Sequence, residues 1–127
     1  MTAAAVMPYF LTACAALFAG AFAIPMMVSP LAWARRLGWD ARENHLAVYF
    51  GRCLGGLLLA VTAVVARAVL TAGARPLVLE LMAGGFVAMT WVHVLGWIRG
   101  SQPWRETAEI PGFVLLAAAS IWLRFSV

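Results

Sequence analysis

Apolar residues run along this chain in four long blocks divided by short polar breaks, with no alternation of the kind a half-buried strand needs. A hydrocarbon core ~30 Å thick takes about 20 helical residues, and Pro8 to Val28 is an uncharged stretch of that order. Ser29-Pro30 then reads as an N-cap followed by proline at the first helical position. Leu31 to Leu37 is expected to form a short helix on the membrane surface, stopped at Gly38. Asp40 and Glu43 have the spacing of a capping box, so a second long helix is expected from about Ala41 to Leu70. Thr71 to Pro76 reads as a tight turn, with Gly73 supplying an unusual backbone angle and Pro76 restarting a helix.

The third block runs from Pro76 to Ile98 and stops at Arg99-Gly100, followed by a polar loop from Ser101 to Arg105 that contains Pro103. The fourth is the shortest. Its uncharged part, Ile110 to Leu123, extends only ~21 Å at 1.5 Å per residue. It crosses if the helix runs from Thr107 to Val127, with Arg124 reaching for the interface. A half-inserted helix would strand its backbone groups in lipid. The expectation is therefore all-α: an integral membrane four-helix bundle with short loops, one domain over residues 1–127, and spans near 8–28, 45–70, 76–98 and 107–125.

Composition sharpens this picture. The chain is 65% hydrophobic and 11% charged, against roughly 25% charged in a soluble domain. That excludes a secreted disulfide scaffold, a disordered tail and a water-soluble enzyme domain. No charged side chain precedes Arg35. The first block therefore lacks the basic start of a signal peptide and is expected to remain as a transmembrane helix. The net charge of +4 comes from arginines scattered between apolar runs, not from a basic stripe, so nucleic acid is not an expected partner. Cys14 and Cys53 fall on different spans at different depths, too far apart for a disulfide, and read as small buried hydrophobes.

Arg35, Arg36, Arg42, Arg99 and Arg105 lie in the first and third loops, whereas Arg67, Arg75 and Arg124 lie at the other side. By the positive-inside rule the two longer loops face the cytoplasm and both termini lie outside. Trp33, Trp39, Trp97 and Trp104 flank those same loops, as an aromatic belt does. Phe22, Phe86, Trp91 and Met26, Met27, Met82 and Met89 read as lipid-facing or bundle-filling residues.

A charge at a helix centre costs ~2.5–3.5 kcal/mol on insertion scales and is expected to find a partner. In a hairpin centred near Gly73, Arg67 and Glu80 lie at the same depth and read as a structural ion pair; a proton or substrate relay through Glu80 is the alternative. Arg52 and His93 lie within ~3 Å of level. With Glu106 and Glu109 at the start of the last helix, they are candidates to line a polar recess that binds a ligand. Both acids also suit the positive end of that helix without any ligand. Gly51 and Gly55 form a GxxxG pair that admits a neighbouring helix.

His45 and His93 lie ~13 Å apart in depth within one hairpin, which excludes a shared axial haem. No CxxC or HExxH motif occurs, neither cysteine has a histidine at matched depth for a nucleophilic triad, and no cofactor or metal is expected.

The segment Tyr49-Phe50-Gly51-Arg52-Cys53-Leu54-Gly55-Gly56-Leu57-Leu58-Leu59-Ala60 resembles the DoxX-like superfamily of small four-helix bacterial membrane proteins, many of which carry an Arg, a Leu-Gly and a Leu/Gly run within a helix. His93 and the glutamates before the last span are compatible with it. The resemblance covers about a third of the chain and implies a four-helix bundle in a bacterial inner membrane. Small multidrug exporters of similar size need a glutamate in the first helix, and none lies there. Glutathione-handling four-helix enzymes carry an Arg/Asn/Glu-rich second helix, which Arg42-Glu43-Asn44 echoes only at the interface. The leading expectation is a small membrane protein that acts by binding, as an accessory subunit or a homo-oligomer. The alternative is an enzyme or carrier for a lipophilic substrate, a lipid or quinone, held near Arg52 and His93.

Overall fold

The computed structural model describes residues 2–126. The helices are α1 (Ala3–Leu17), continued by a π-helical stretch (Phe18–Ala23) into α2 (Ile24–Val28), then α3 (Pro30–Arg36), α4 (His45–Leu70), α5 (Arg75–Ile98), α6 (Trp104–Thr107) and α7 (Ile110–Phe125). They make four rods long and apolar enough to cross a membrane: Ala3–Val28, His45–Leu70, Ala72–Ile98 and Trp104–Phe125. The all-α four-helix architecture expected from the apolar blocks is the one observed. The first rod begins at Ala3, before Pro8, which sits inside α1. The last ends at Phe125, and Val127, the expected end of that helix, lies outside the described residues.

The π-helical stretch has a local cause. Pro25 has no N–H, and its ring crowds the carbonyl four residues back, that of Ala21. A wider turn over Phe18–Ala23 relieves the crowding, and the Ala21 carbonyl accepts a bond from Trp33 Nε1 at 2.9 Å. Trp33 thus ties α3 back onto the rod it follows, where the sequence suggested only an interfacial anchor.

α3 and α5 both end in a Schellman turn. Gly38 (φ 95°) and Gly100 (φ 61°) take the left-handed conformation. Trp39 N–H bonds to Ala34 O and Ser101 N–H to Gly96 O, each at 3.0–3.2 Å. These two reversals lie at the same end of the bundle and fold the first and third loops toward each other. Arg105 Nη1 donates to the Arg36 carbonyl.

Three expectations about helix ends are corrected. The Asp40/Glu43 capping box does not form. The N-cap is Asn44, whose Oδ1 accepts from the N–H groups of Leu46 (2.9 Å) and Ala47 (3.3 Å), and α4 starts at His45, not Ala41. Asp40 instead sits 3.5 Å from Arg42, both well exposed. Gly73 needs no unusual angle, because the turn is a 3₁₀ turn over Ala72–Ala74 and Gly73 is not among the glycines with positive φ. Arg75 completes the turn by donating to the Ala68 (3.1 Å) and Val69 (2.8 Å) carbonyls, which the end of α4 would otherwise leave unpaired.

Packing divides the bundle into two helix pairs. The first rod and α3 lie on α4, and α5 lies on α7. The close approach of α4 is set by Gly51 and Gly55. A Cβ on Gly55 would fall 2.7 Å from Met27 N and 2.8 Å from Ala23 O; one on Gly51 would strike the Pro30 ring. The pairs share a core of Met7, Leu11, Cys14, Val65, Leu79, Phe86, Phe113 and Leu123. Cys14 is buried in it, whereas Cys53, expected to be buried, is exposed.

Candidate functional site

His93 is the most buried ionisable side chain of the bundle's polar end, 6% exposed on α5. Its Nδ1 lies 2.8 Å from the Met89 carbonyl. A carbonyl only accepts, so Nδ1 carries the proton and Nε2 is the nitrogen left to face the site. Nε2 lies 3.0 Å from Glu106 Oε2 and 3.9 Å from Glu109 Oε2. With Nδ1 protonated, the neutral ring presents a lone pair to a carboxylate, and this contact is favourable only with a cation, a proton or a metal ion, between the two.

Three elements hold this arrangement. α5 carries His93, the short α6 carries Glu106, and Glu109 is the residue on which α7 begins. Glu106 Oε1 accepts from Trp39 Nε1 at 2.7 Å, so the Gly38 reversal delivers an indole to orient this carboxylate. Gln102 Nε2 donates to the His93 carbonyl (3.0 Å) and to Thr107 Oγ1 (2.9 Å), fixing the loop between α5 and α6. Glu106 is 12% exposed and Glu109 26%, so the cluster is open on the Glu109 side.

Of the candidate ligand-binding residues, His93, Glu106 and Glu109 converge and Arg52 does not. Arg52 is exposed on α4 and makes no hydrogen bond or ion pair among the described residues. Glu80 binds Arg124, Nε to Oε1 at 2.6 Å, and not Arg67; Arg67 is exposed and makes no ion pair among the described residues. The physical reason is the same in both corrections. Hairpin register fixes how deep a residue lies but not which way it points, and α5 turns its Glu80 face toward α7. His45 is exposed at the start of α4, outside the cluster.

Next to the cluster is a feature without a sequence signal. A cavity of about 410 Å³ lies between the two helix pairs at mid-span. Its wall includes Phe18 and Phe22 from the π-helical stretch, Leu58, Val61, Thr62 and Val65 from α4, Met82, Gly85, Phe86 and Met89 from α5, and Phe113 from α7. Thr62 Oγ1 is turned to its own helix, bonding Leu58 O at 2.7 Å. The rings form a continuous file: Phe22–Phe18 at 5.8 Å, Phe18–Phe86 at 5.5 Å, Phe86–Phe113 at 6.4 Å and Phe113–His93 at 5.0 Å between centroids. His93 therefore caps one end of an aromatic wall. Met82 and Phe86 fill the bundle core as expected, and Met89 and Trp91 are 41% and 63% exposed as lipid-facing residues would be; Met82, Phe86 and Met89, with Phe22, also line the cavity.

No protein family, curated protein or solved structure matches the chain.

Proposed function

We propose that this chain is a membrane binding protein that holds the hydrocarbon part of a lipid or isoprenoid quinone between its two helix pairs. The observation that carries the proposal is the 410 Å³ cavity at mid-span, within the ~300–1,000 Å³ of small-molecule sites. Its wall offers aromatic and aliphatic surface, with the hydroxyl of Thr62 already engaged. Such a wall favours a chain of methylene or isoprenoid units and offers nothing to a polar solute. Leu81 and Met89 line it and are also 51% and 41% exposed on the outer surface, so the mouth faces sideways between α4 and α5, toward acyl chains. The polar cluster at His93 lies where a headgroup would sit.

Kinship with the DoxX-like superfamily belongs to the same proposal, as does a bacterial inner-membrane location with the cluster end facing the cytoplasm. The excess of arginine in the first and third loops supports that orientation.

The test is native mass spectrometry and lipid extraction of protein purified from membranes in mild detergent, comparing wild type with Gly85→Leu. A Cβ at Gly85 meets nothing within 4 Å, so a leucine there is expected to fill the cavity without disturbing the helices. Wild type is expected to retain one long-chain lipid or quinone and Gly85→Leu to lose it, with Arg52→Ala behaving as wild type. Ligand at 100 times its Kd would raise wild-type stability by about 2.7 kcal/mol. Wild type free of bound lipid, or equal retention by Gly85→Leu, would refute the proposal.

A further inference from the structure

We propose that His93, Glu106 and Glu109 form a binding site for a divalent first-row transition-metal cation, the class that Zn²⁺ and Mn²⁺ represent. Their donor atoms all lie within 4.8 Å of one another. Metal–ligand bonds of ~2.1 Å in a tetrahedral site put neighbouring donors about 3.4 Å apart. The two separations from His93 Nε2, 3.0 and 3.9 Å, bracket that value.

The surroundings fit a metal ligand set in two further respects. A ligating histidine donates its other N–H to a carbonyl or carboxylate, and His93 Nδ1 has the Met89 carbonyl at 2.8 Å. A ligating carboxylate is itself hydrogen-bonded, and Glu106 Oε1 takes the Trp39 indole N–H at 2.7 Å. Charge also fits a dication: no arginine forms an ion pair with Glu106 or Glu109 among the described residues, and one dication neutralises both carboxylates at once. The imidazole selects against Mg²⁺ and Ca²⁺, which favour oxygen ligands alone. With three protein ligands and Glu109 26% exposed, positions remain for water or another small ligand. The site does not depend on the lipid reading, since its ligands are the chain's own side chains.

Full-length protein in detergent, stripped with a chelator, is titrated calorimetrically with ZnCl₂, MnCl₂ and MgCl₂. The expected result is one equivalent of Zn²⁺ or Mn²⁺ bound and no competition from Mg²⁺. Glu109→Gln and His93→Gln are expected to weaken binding by about 100-fold or more, and Trp39→Phe by about 10-fold, as orienting partners do. X-ray absorption of the loaded wild type is expected to show nitrogen and oxygen neighbours only. No stoichiometric uptake, unchanged affinity in Glu109→Gln, Mg²⁺ binding as tightly, or sulfur in the coordination shell would each overturn the proposal. If His93→Gln does not fold, Glu109→Gln and the wild-type spectrum decide it.

Discussion

Gly55 and Gly56 are adjacent on α4 yet are expected to respond in opposite directions to the same substitution. Alanine in place of glycine within a helix gains up to about 1 kcal/mol in propensity, and this gain is common to both positions. At Gly56 an added Cβ meets nothing within 4 Å, so the gain stands alone. At Gly55 it would meet backbone, Met27 N at 2.7 Å and Ala23 O at 2.8 Å, and backbone cannot rotate away as a side chain does. Overpacking of this kind costs about 1–3 kcal/mol. Because the propensity gain cancels in the comparison, Gly55→Ala is expected to be less stable than Gly56→Ala by about 1–3 kcal/mol. The assay is reversible unfolding in mixed detergent micelles followed by helical circular dichroism. Equal stability of the two variants would refute the reasoning, since α4 would then not be seated on the first rod through this glycine.

Two further outcomes follow from the corrected contacts. A double-mutant cycle on Arg124 and Glu80, whose side chains are 32% and 54% exposed, is expected to give a coupling of no more than about 1 kcal/mol, and a cycle on Arg67 and Glu80 none; coupling confined to Arg67 would reverse the assignment. Trp33→Phe removes the indole donor from the Ala21 carbonyl and is expected to cost about 1 kcal/mol, measured by the same unfolding assay, whereas no change would mean that water or lipid headgroups replace the bond freely.

The sequence announces the rods and their breaks because lipid imposes a length and a composition on any helix that crosses it. Gly38 and Gly100 are legible as helix stops for a similar reason: the left-handed turn they adopt is costly for any residue with a Cβ. Facing is another matter. Arg67 and Glu80 lie at matched depth on one hairpin, yet Glu80 belongs to the α5–α7 contact, and nothing in the spacing of α5 says which neighbour it prefers. His93, Glu106 and Glu109 were legible as residues of one depth, but Arg52 shares that depth and points elsewhere. Their closeness arises from three elements separated by a loop, so no short motif encodes it. The cavity had no signal at all, since Phe18, Gly85 and Phe113 look the same in a sequence whether they fill a space or surround one. The widened helix at Phe18–Ala23 is visible only as Pro25, whose effect falls several residues upstream.

The two reversals at Gly38 and Gly100 have a consequence for movement. They clasp the helix pairs at one extremity, and the covalent link through Ala72–Ala74 clasps them at the other. A body fastened at both ends cannot gape like a clam; any parting of the pairs would have to come at the waist, between α4 and α5. If the proposed lipid or quinone occupies the cavity, it would enter there by lateral diffusion in the bilayer, and its rate of turnover would follow membrane fluidity and not its solubility in water.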